Sequence, residues 1–405
     1  MTTVVSRADP HDSLLEVPEW FRELRVIDVD AHYSEPGDLW TRHAPKGFEK
    51  RLPHIAVVDG RERWVFDGIP IAEARATSII LPDRSRANGM RIFDLTLDQV
   101  HPGSYDWRGR LELMDRMGIW AQVLYSNVSG HGNQRLMSVD DAELRALSAR
   151  VFNDAMAEIQ EASGERLIPV AHLPWWDIKA SIAELRRVAK MGMRGFAMCS
   201  DPQDAGLPDL RERAWDPFWE TCCELNFPVS FHVGASDSSE VKNWFGPAPW
   251  PSQPDDVKLM IGSLIAYFSN AKIITNLILG GVLERFPELK VVSVESGVGW
   301  MSFLVEAMDY LIVTGADRPF LPLKPSEYFR RQVYATFWFE KITSSKLDDI
   351  GMNALFQTDI PHAHCLYPDT RDHIVKVFEN IDPIVRRRLL QDNAAQLYRL
   401  DLKKI

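Results

Sequence analysis

The amino-acid sequence predicts an α/β fold of the (β/α)8 TIM-barrel type, and three observations carry that prediction. Eight short apolar runs alternate with amphipathic segments of helix length from Val26 onward, the pattern of strand-helix units around a parallel sheet. The first, fifth, sixth and eighth runs end in a carboxylate or an imidazole, the residue types from which a parallel barrel builds a site at its C-terminal mouth. An open doubly wound sheet would gather such residues at one switch point between neighbouring strands. Ends contributed by runs so far apart in order meet only if the sheet closes on itself.

The first run is Val26-Ile27-Asp28-Val29-Asp30-Ala31-His32. With a period of two, Asp28, Asp30 and His32 are expected on one face and Ile27, Val29 and Ala31 on the other. Residues 1–25 read as an N-terminal extension and 26–405 as one barrel domain, with an insertion over 41–105 after the first strand. Inside the insertion, 55–58 and 63–66 flank Asp59-Gly60, a strong hairpin signal. Helices are then predicted over 107–117, 140–162, 178–191, 217–225, 259–286, 300–313 and 344–350. They alternate with strands over 120–125, 167–171, 195–198, 228–232, 291–295, 332–337 and 355–359, and further helices follow Thr370 and Pro383. The loop over 234–258 is long, and its Trp244, Phe245 and Trp250, set among prolines, suggest a stiff apolar lid over a bulky substrate. A packing loop or a subunit contact is the alternative.

A length of 405 residues allows two domains, but a single α/β barrel can reach that size. The hydrophobic fraction of 45% is ample for a large core. A net charge of −11 without a basic stripe excludes nucleic acid. No run of roughly 18 apolar residues and no signal-peptide core appears, so a cytoplasmic protein without a membrane partner is expected. Cys199, Cys222, Cys223 and Cys365 lack zinc-type spacing and are expected as reduced thiols. There is no G-x-S-x-G elbow, no P-loop and no dinucleotide fingerprint, which leaves serine-triad and nucleotide chemistry without support.

Asp30 and His32, two apart on one strand, can reach one ion, and Asp359 can complete its ligands. His232 and Glu295 can hold a second ion, with one carboxylate bridging. A lone histidine usually has a structural role; five ligand-type residues at the right strand ends reverse that expectation. Asp28 lies one pleat deeper and is expected to hydrogen-bond behind the ligands, a ligand role being the alternative. Glu35 and His362, just beyond the first and eighth strands, are candidates for ligand or acid/base roles. His172, His364 and His131 lie in loops near the same mouth, where each either faces substrate or is an ordinary loop residue.

Several longer motifs carry a resemblance. They are 28–40 (Asp-Val-Asp-Ala-His-Tyr-Ser-Glu-Pro-Gly-Asp-Leu-Trp), 294–300 (Val-Glu-Ser-Gly-Val-Gly-Trp), 325–332, 358–362 (Thr-Asp-Ile-Pro-His) and 392–398. Together they resemble the amidohydrolase superfamily, in its amidohydrolase-2 or TIM-barrel metal-dependent hydrolase branch, over nearly the whole chain. That branch includes hydrolases, non-oxidative decarboxylases and an oxygenase group, so the resemblance specifies fold better than reaction. Binuclear hydrolases of the superfamily usually carry His-x-His on strand one, a carboxylated lysine on strand four and a histidine on strand six. Here strand one offers Asp30 and His32, strand four has no lysine, and strand six ends in Glu295. The decarboxylases commonly use a strand-six histidine as acid/base, so that reaction lacks its expected proton donor.

Two histidines and three carboxylates make an oxygen-rich shell suited to iron or manganese. The chain is similar to a TIM-barrel group of non-haem diiron monooxygenases of terpenoid antibiotic biosynthesis, known from the platensimycin and platencin pathways. That resemblance implies two iron ions, with manganese or zinc as alternatives, held by Asp30, His32, His232, Glu295 and Asp359. It also implies dioxygen as co-substrate, an electron donor, and an apolar, CoA-thioester-type substrate, with a homo-oligomer as a further expectation. The leading expectation is therefore a monooxygenase, an oxidoreductase. Its rivals are a metal-dependent hydrolase with Asp359 as general base, a non-oxidative decarboxylase and, most distant, a non-enzymatic binding barrel.

Overall fold

The computed structural model describes residues 16–236, 251–315 and 321–403. Its first strand, β1 (Ile27–Tyr33), enters the barrel and is followed by three strands outside it: β2 (His54–Val58), β3 (Arg61–Phe66) and β4 (Ile69–Glu73). The barrel resumes with β5 (Ala121–Ser126), β6 (Leu167–Pro169), β7 (Phe196–Ala197), β8 (Val229–His232), β9 (Val291–Val294), β10 (Val333–Phe337) and β11 (Ala354–Phe356). These strands pair in parallel in two ladders, β1-β5-β6 and β7-β8-β9-β10-β11. Single parallel bridges, Ala171 to Phe196 and Ala31 to Ile360, join the ladders and close the barrel. At the second seam Asp359 N–H donates to Asp30 O at 2.9 Å and His32 N–H to Ile360 O at 2.7 Å. Closure and the alignment of three ligand-type residues are thus made by the same hydrogen bonds.

One prediction about β1 is corrected. Asp28 pairs with Gln122 and Ala31 with Leu124, so three steps on β1 oppose two on β5. That β-bulge shifts the side-chain phase by one residue. Ile27 and Val29 join the cluster inside the barrel with Val123, Ile168, Val292 and Leu355, whereas Ala31 packs in the outer layer. Asp28 therefore lies on the outer face with Ala31, and only Asp30 and His32 share the inner one. A strict period of two cannot anticipate a bulge.

Local chemistry sets the helices. Asp106, Asp141 and Asp177 cap the helices Trp107–Met117, Ala142–Ala162 and Ile178–Lys190 by accepting from Gly109, Leu144 and Ala180 N–H. The first of these ends at Gly118 with φ +72°, where a Cβ would stand 2.6 Å from the Phe21 ring, so only glycine fits. The long helix predicted over 259–286 is three shorter ones, Asp255–Ala266, Asn270–Leu279 and Val282–Arg285, separated at Ser269 and at Gly280-Gly281. Their stretch Asp255–Leu279 is, against expectation, long and apolar enough by composition to cross a membrane, with 28% of it buried. The hairpin in the insertion is a three-stranded antiparallel sheet, because Asp67-Gly68 makes a second turn into β4. At the far end of the barrel, Ala394, Leu397 and Tyr398 pack into the inner cluster beside the strand starts Ile27 and Ala121.

Candidate metal centre

Five side chains converge at the C-terminal mouth. Asp30 and His32 come from the bulged β1, and His232 is the last residue of β8. Glu295 follows β9 by one residue and Asp359 follows β11 by three. Both of these carboxylates sit on left-handed backbone, at φ 55° and 60°. That conformation costs a non-glycine residue on the order of 1 kcal/mol and persists where the surroundings impose it. At Glu295 the N–H is held by Thr336 Oγ1 at 2.9 Å and Gln357 Oε1 at 3.2 Å; at Asp359 it is held by Asp30 O.

Asp30 Oδ1 lies 3.5 Å from His32 Nε2 and 3.3 Å from His232 Nε2. Glu295 Oε2 flanks this triangle 3.7 Å from His232 Nε2, and Asp359 Oδ1 flanks it 3.5 Å from His32 Nε2. Two ligands bound about 2.1 Å from one ion stand roughly 3.0–3.4 Å apart, so the spacing suits a shared cation. Both Asp30 carboxylate oxygens, both His32 ring nitrogens, His232 Nε2 and Asp359 Oδ1 are buried without a hydrogen-bond partner. Such orphaned lone pairs are costly unless something positive binds them. The donor set therefore fits a divalent ion. His232 Nδ1 meets Val233 O at 2.7 Å, which turns Nε2 toward the site.

The electrostatics agree with an acidic, dry pocket. Burial, then the neighbouring carboxylates, pushes Asp359 and Glu295 well above the usual carboxylate range. Burial drives His32 well below the ordinary histidine value, and the adjacent imidazoles add to it. Burial also depresses His232, but Asp30 and Glu295 outweigh it and leave that imidazole raised.

The remaining candidates separate. Asp28 accepts from Thr358 N, Thr358 Oγ1, Gln122 Nε2 and Asp30 N at 2.8, 2.6, 2.8 and 3.2 Å, tying β1 to the segment that carries Asp359. Its four acceptor positions are used, and it faces away from the ligands; burial raises it to about 7. Glu35 anchors the loop after β5, accepting from Ser126 Oγ at 2.6 Å and Asn127 N at 2.9 Å. His362 belongs to the mouth: it stacks on His32 at 3.6 Å, with Nδ1 3.1 Å from Asp359 Oδ1 and Nε2 3.0 Å from Asn127 Oδ1. His172 lies apart, stacked on Phe152 at 3.7 Å, and His364 meets Ser263 Oγ at 2.9 Å. Trp244, Phe245 and Trp250 fall outside the described residues.

Two contributors were underweighted by sequence reasoning. His131 is buried with its ring 4.0 Å from His232 and 4.8 Å from His32. Its signal was a histidine between glycines after a barrel strand: a Cβ on Gly132 would stand 2.6 Å from Ala235 O, so the loop presses against the mouth. Arg86, in the insertion, donates to Ala363, Cys365 and Tyr367 carbonyls at 2.7, 2.7 and 2.6 Å, bracing the loop that carries His362. No local motif marks it.

A closed parallel barrel with an imidazole and carboxylate cluster at its C-terminal mouth defines the class of metal-dependent barrel proteins. Within that class the chain belongs to the amidohydrolase family, whose profile matches residues 134–400. It is 25% identical over 307 residues to a gamma-resorcylate decarboxylase of Rhizobium sp. (strain MTP-10005), covering 72% of this chain and 86% of that protein. It is 29% identical over 223 residues to the decarboxylase orsB of Emericella nidulans, covering 52% of this chain and 56% of that protein, so this match spans little more than half the relative. Among solved structures, an amidohydrolase from Mycobacterium avium subsp. paratuberculosis superposes with a TM-score of 0.70 at 22% identity, covering 93% of this chain and 99% of that one. A 5-carboxyvanillate decarboxylase from Novosphingobium aromaticivorans, complexed with manganese and 4-hydroxy-3-methoxy-5-nitrobenzoic acid, gives 0.63 at 16% identity, covering 94% and 97%.

These findings overturn the oxygenase expectation. The curated relatives are decarboxylases, which are lyases and not oxidoreductases. The diiron monooxygenase, its dioxygen and electron donor, and the terpenoid antibiotic context go with it. The physical reason is that a mixed imidazole and carboxylate shell selects for hard divalent ions, redox-active or not, and leaves the reaction open.

Proposed function

We propose that this chain is a metal-dependent, non-oxidative decarboxylase acting on a small hydroxylated aromatic acid. The observation that carries the reading is the cluster of buried, unpartnered ligand atoms on Asp30, His32, His232 and Asp359, in a chain matched over most of its length by a decarboxylase. Those four side chains would hold a divalent ion of the manganese or zinc class. When bound, it would draw off negative charge from substrate carboxylate and phenolate oxygens.

Loss of carbon dioxide leaves an electron pair on the ring carbon, and that carbon takes up one proton. No electron leaves the substrate, so neither dioxygen nor a reductant enters the balance. Glu295 is the group placed to give the proton. Its side chain is 13% exposed, whereas those of Asp30, His32, His232 and Asp359 are exposed by 1% or less, so it alone of the five reaches open space. Burial and Asp359 keep its carboxyl protonated. A carboxylic acid thus stands where relatives commonly use a strand-six histidine. His131, with Nδ1 against Val233 O at 3.2 Å, and His362, set between Asp359 and Asn127, line the same mouth as neutral imidazoles.

The protein loaded with Mn2+ should release carbon dioxide from 2,6-dihydroxybenzoate or a related hydroxybenzoate in the absence of air. Glu295→Gln should lower kcat by about 100-fold or more while the bound ion stays. Inactivity against a hydroxybenzoate panel, or turnover that requires dioxygen, rejects the reading. Loss of the ion in Glu295→Gln would return Glu295 to the ligands and remove it as the acid.

A further inference from the structure

Nine of the thirteen large apolar side chains exposed among the described residues lie between positions 260 and 339. They fall on two crossover helices, Asp255–Ala266 with its C-terminal extension and Met301–Thr314, and on Phe339 after β10. Met260, Leu264 and Phe268 recur every four residues and form one stripe; Phe303 and Tyr310, seven apart, form a second. The stripes adjoin, since the Phe268 ring lies 5.8 Å from Trp300 at the start of the second helix and Tyr267 lies 6.1 Å from Phe339. Helices on a barrel normally turn such stripes inward. Here they face out, Phe303 being 75% exposed.

We infer that this face is the contact surface for a second copy of the same chain. Its apolar side chains offer on the order of 900 Å², against roughly 800 Å² per partner in a standard interface. Monomers seldom leave so much contiguous apolar surface open. Paired helix stripes also suit an isologous contact, in which each stripe meets its symmetry mate. A lipid surface fits less well, because the face is rimmed by the exposed acids Asp255, Asp256 and Glu306 on a chain of net charge −11, whereas membrane-lying helices carry lysine and arginine there.

The face is continuous with the walls of the mouth. Ser263, on the first helix, meets His364 Nε2 at 2.9 Å, and Trp300 Nε1–H donates to Ser296 O, the neighbour of Glu295, at 2.7 Å. A second copy seated on these helices would hold both walls in place. The surface is argued independently of the decarboxylase reading and survives if that reading fails.

Sedimentation velocity of the full chain at micromolar concentration should show a dimer, and the double variant Leu264→Asp with Phe303→Asp should be monomeric with unchanged far-UV circular dichroism and metal content. Hydrogen exchange on the unaltered protein gives a second measurement that does not depend on the variant folding: amides over 258–268 and 301–313 should gain protection as concentration rises. A monomeric wild-type protein, a dimer that survives the double variant, or exchange independent of concentration overturns the inference. A monomer that co-sediments with phosphatidylglycerol vesicles assigns the face to lipid and overturns it equally.

Discussion

Asp30 stands at the centre of the site because one of its oxygens faces two imidazoles, His32 and His232, and finds no hydrogen-bond partner of its own. Replacing it removes the charge that joins both histidines to an ion. Asp30→Asn should therefore raise the Kd for Mn2+ by more than about 100-fold, beyond what the loss of a partner behind the ligands costs; equilibrium dialysis measures this, and near-wild-type affinity would take Asp30 out of the ligand set. Asp28, two residues away on the opposite face, gives the contrast. It accepts four hydrogen bonds inside the protein, so Asp28→Asn opposes its amide hydrogens to donors already there. The expected cost is about 1–3 kcal/mol of stability, read by urea unfolding, with a smaller change in Mn2+ affinity than Asp30→Asn produces.

At the scale of elements, the segment between β4 and the helix Trp107–Met117 reaches across the mouth to hold the loop after β11. Arg86 meets three carbonyls of that loop, and Ile79 N–H donates to Pro361 O at 3.0 Å. A planar guanidinium spans three acceptors in a way that a lysine ammonium cannot. Arg86→Lys should lower stability by about 1–2 kcal/mol and loosen His362, raising KM more than it lowers kcat while the bound ion remains. Unchanged KM would show that the Ile79 contact alone suffices to place the loop. The β1 bulge works at this scale too. By inserting one residue opposite β5 it turns Asp30 inward beside His32 and leaves Asp28 outside to brace Thr358.

For the whole molecule, burying neutral histidines makes folding depend on acidity. His172 is stacked on Phe152, its Nδ1 has no partner, and burial lowers it to about 3 from an ordinary 6.5. Between these values the unfolded chain takes a proton that the folded chain refuses. The stability from keeping His172 neutral is therefore complete above pH 6.5 and is lost as pH falls toward 3, at up to about 1.4 kcal/mol per pH unit. His172→Phe should remove that one-proton share of the slope between pH 7 and pH 5 in urea unfolding. An identical slope in the variant would show that the imidazole is already protonated in the fold.

The sequence by itself determined the eight-strand order, the closed barrel and the identity of the ligand-type residues. Those follow from apolar runs and from Asp30, His32, His232, Glu295 and Asp359 standing at or just beyond their ends. Tertiary structure alone decided which face Asp28 takes, because a bulge depends on the register of a partner strand ninety-four positions away. It also decided that His131 joins the ligand cluster while His172 does not, since both are loop histidines in sequence and only packing distinguishes them. Arg86 and the outward apolar stripes were invisible for the same reason: their partners are distant carbonyls and a surface that forms only once the crossover helices are laid on the barrel. Composition of the shell could narrow the ion but not the reaction, because the same oxygen and nitrogen donors serve hard divalent ions of either redox character.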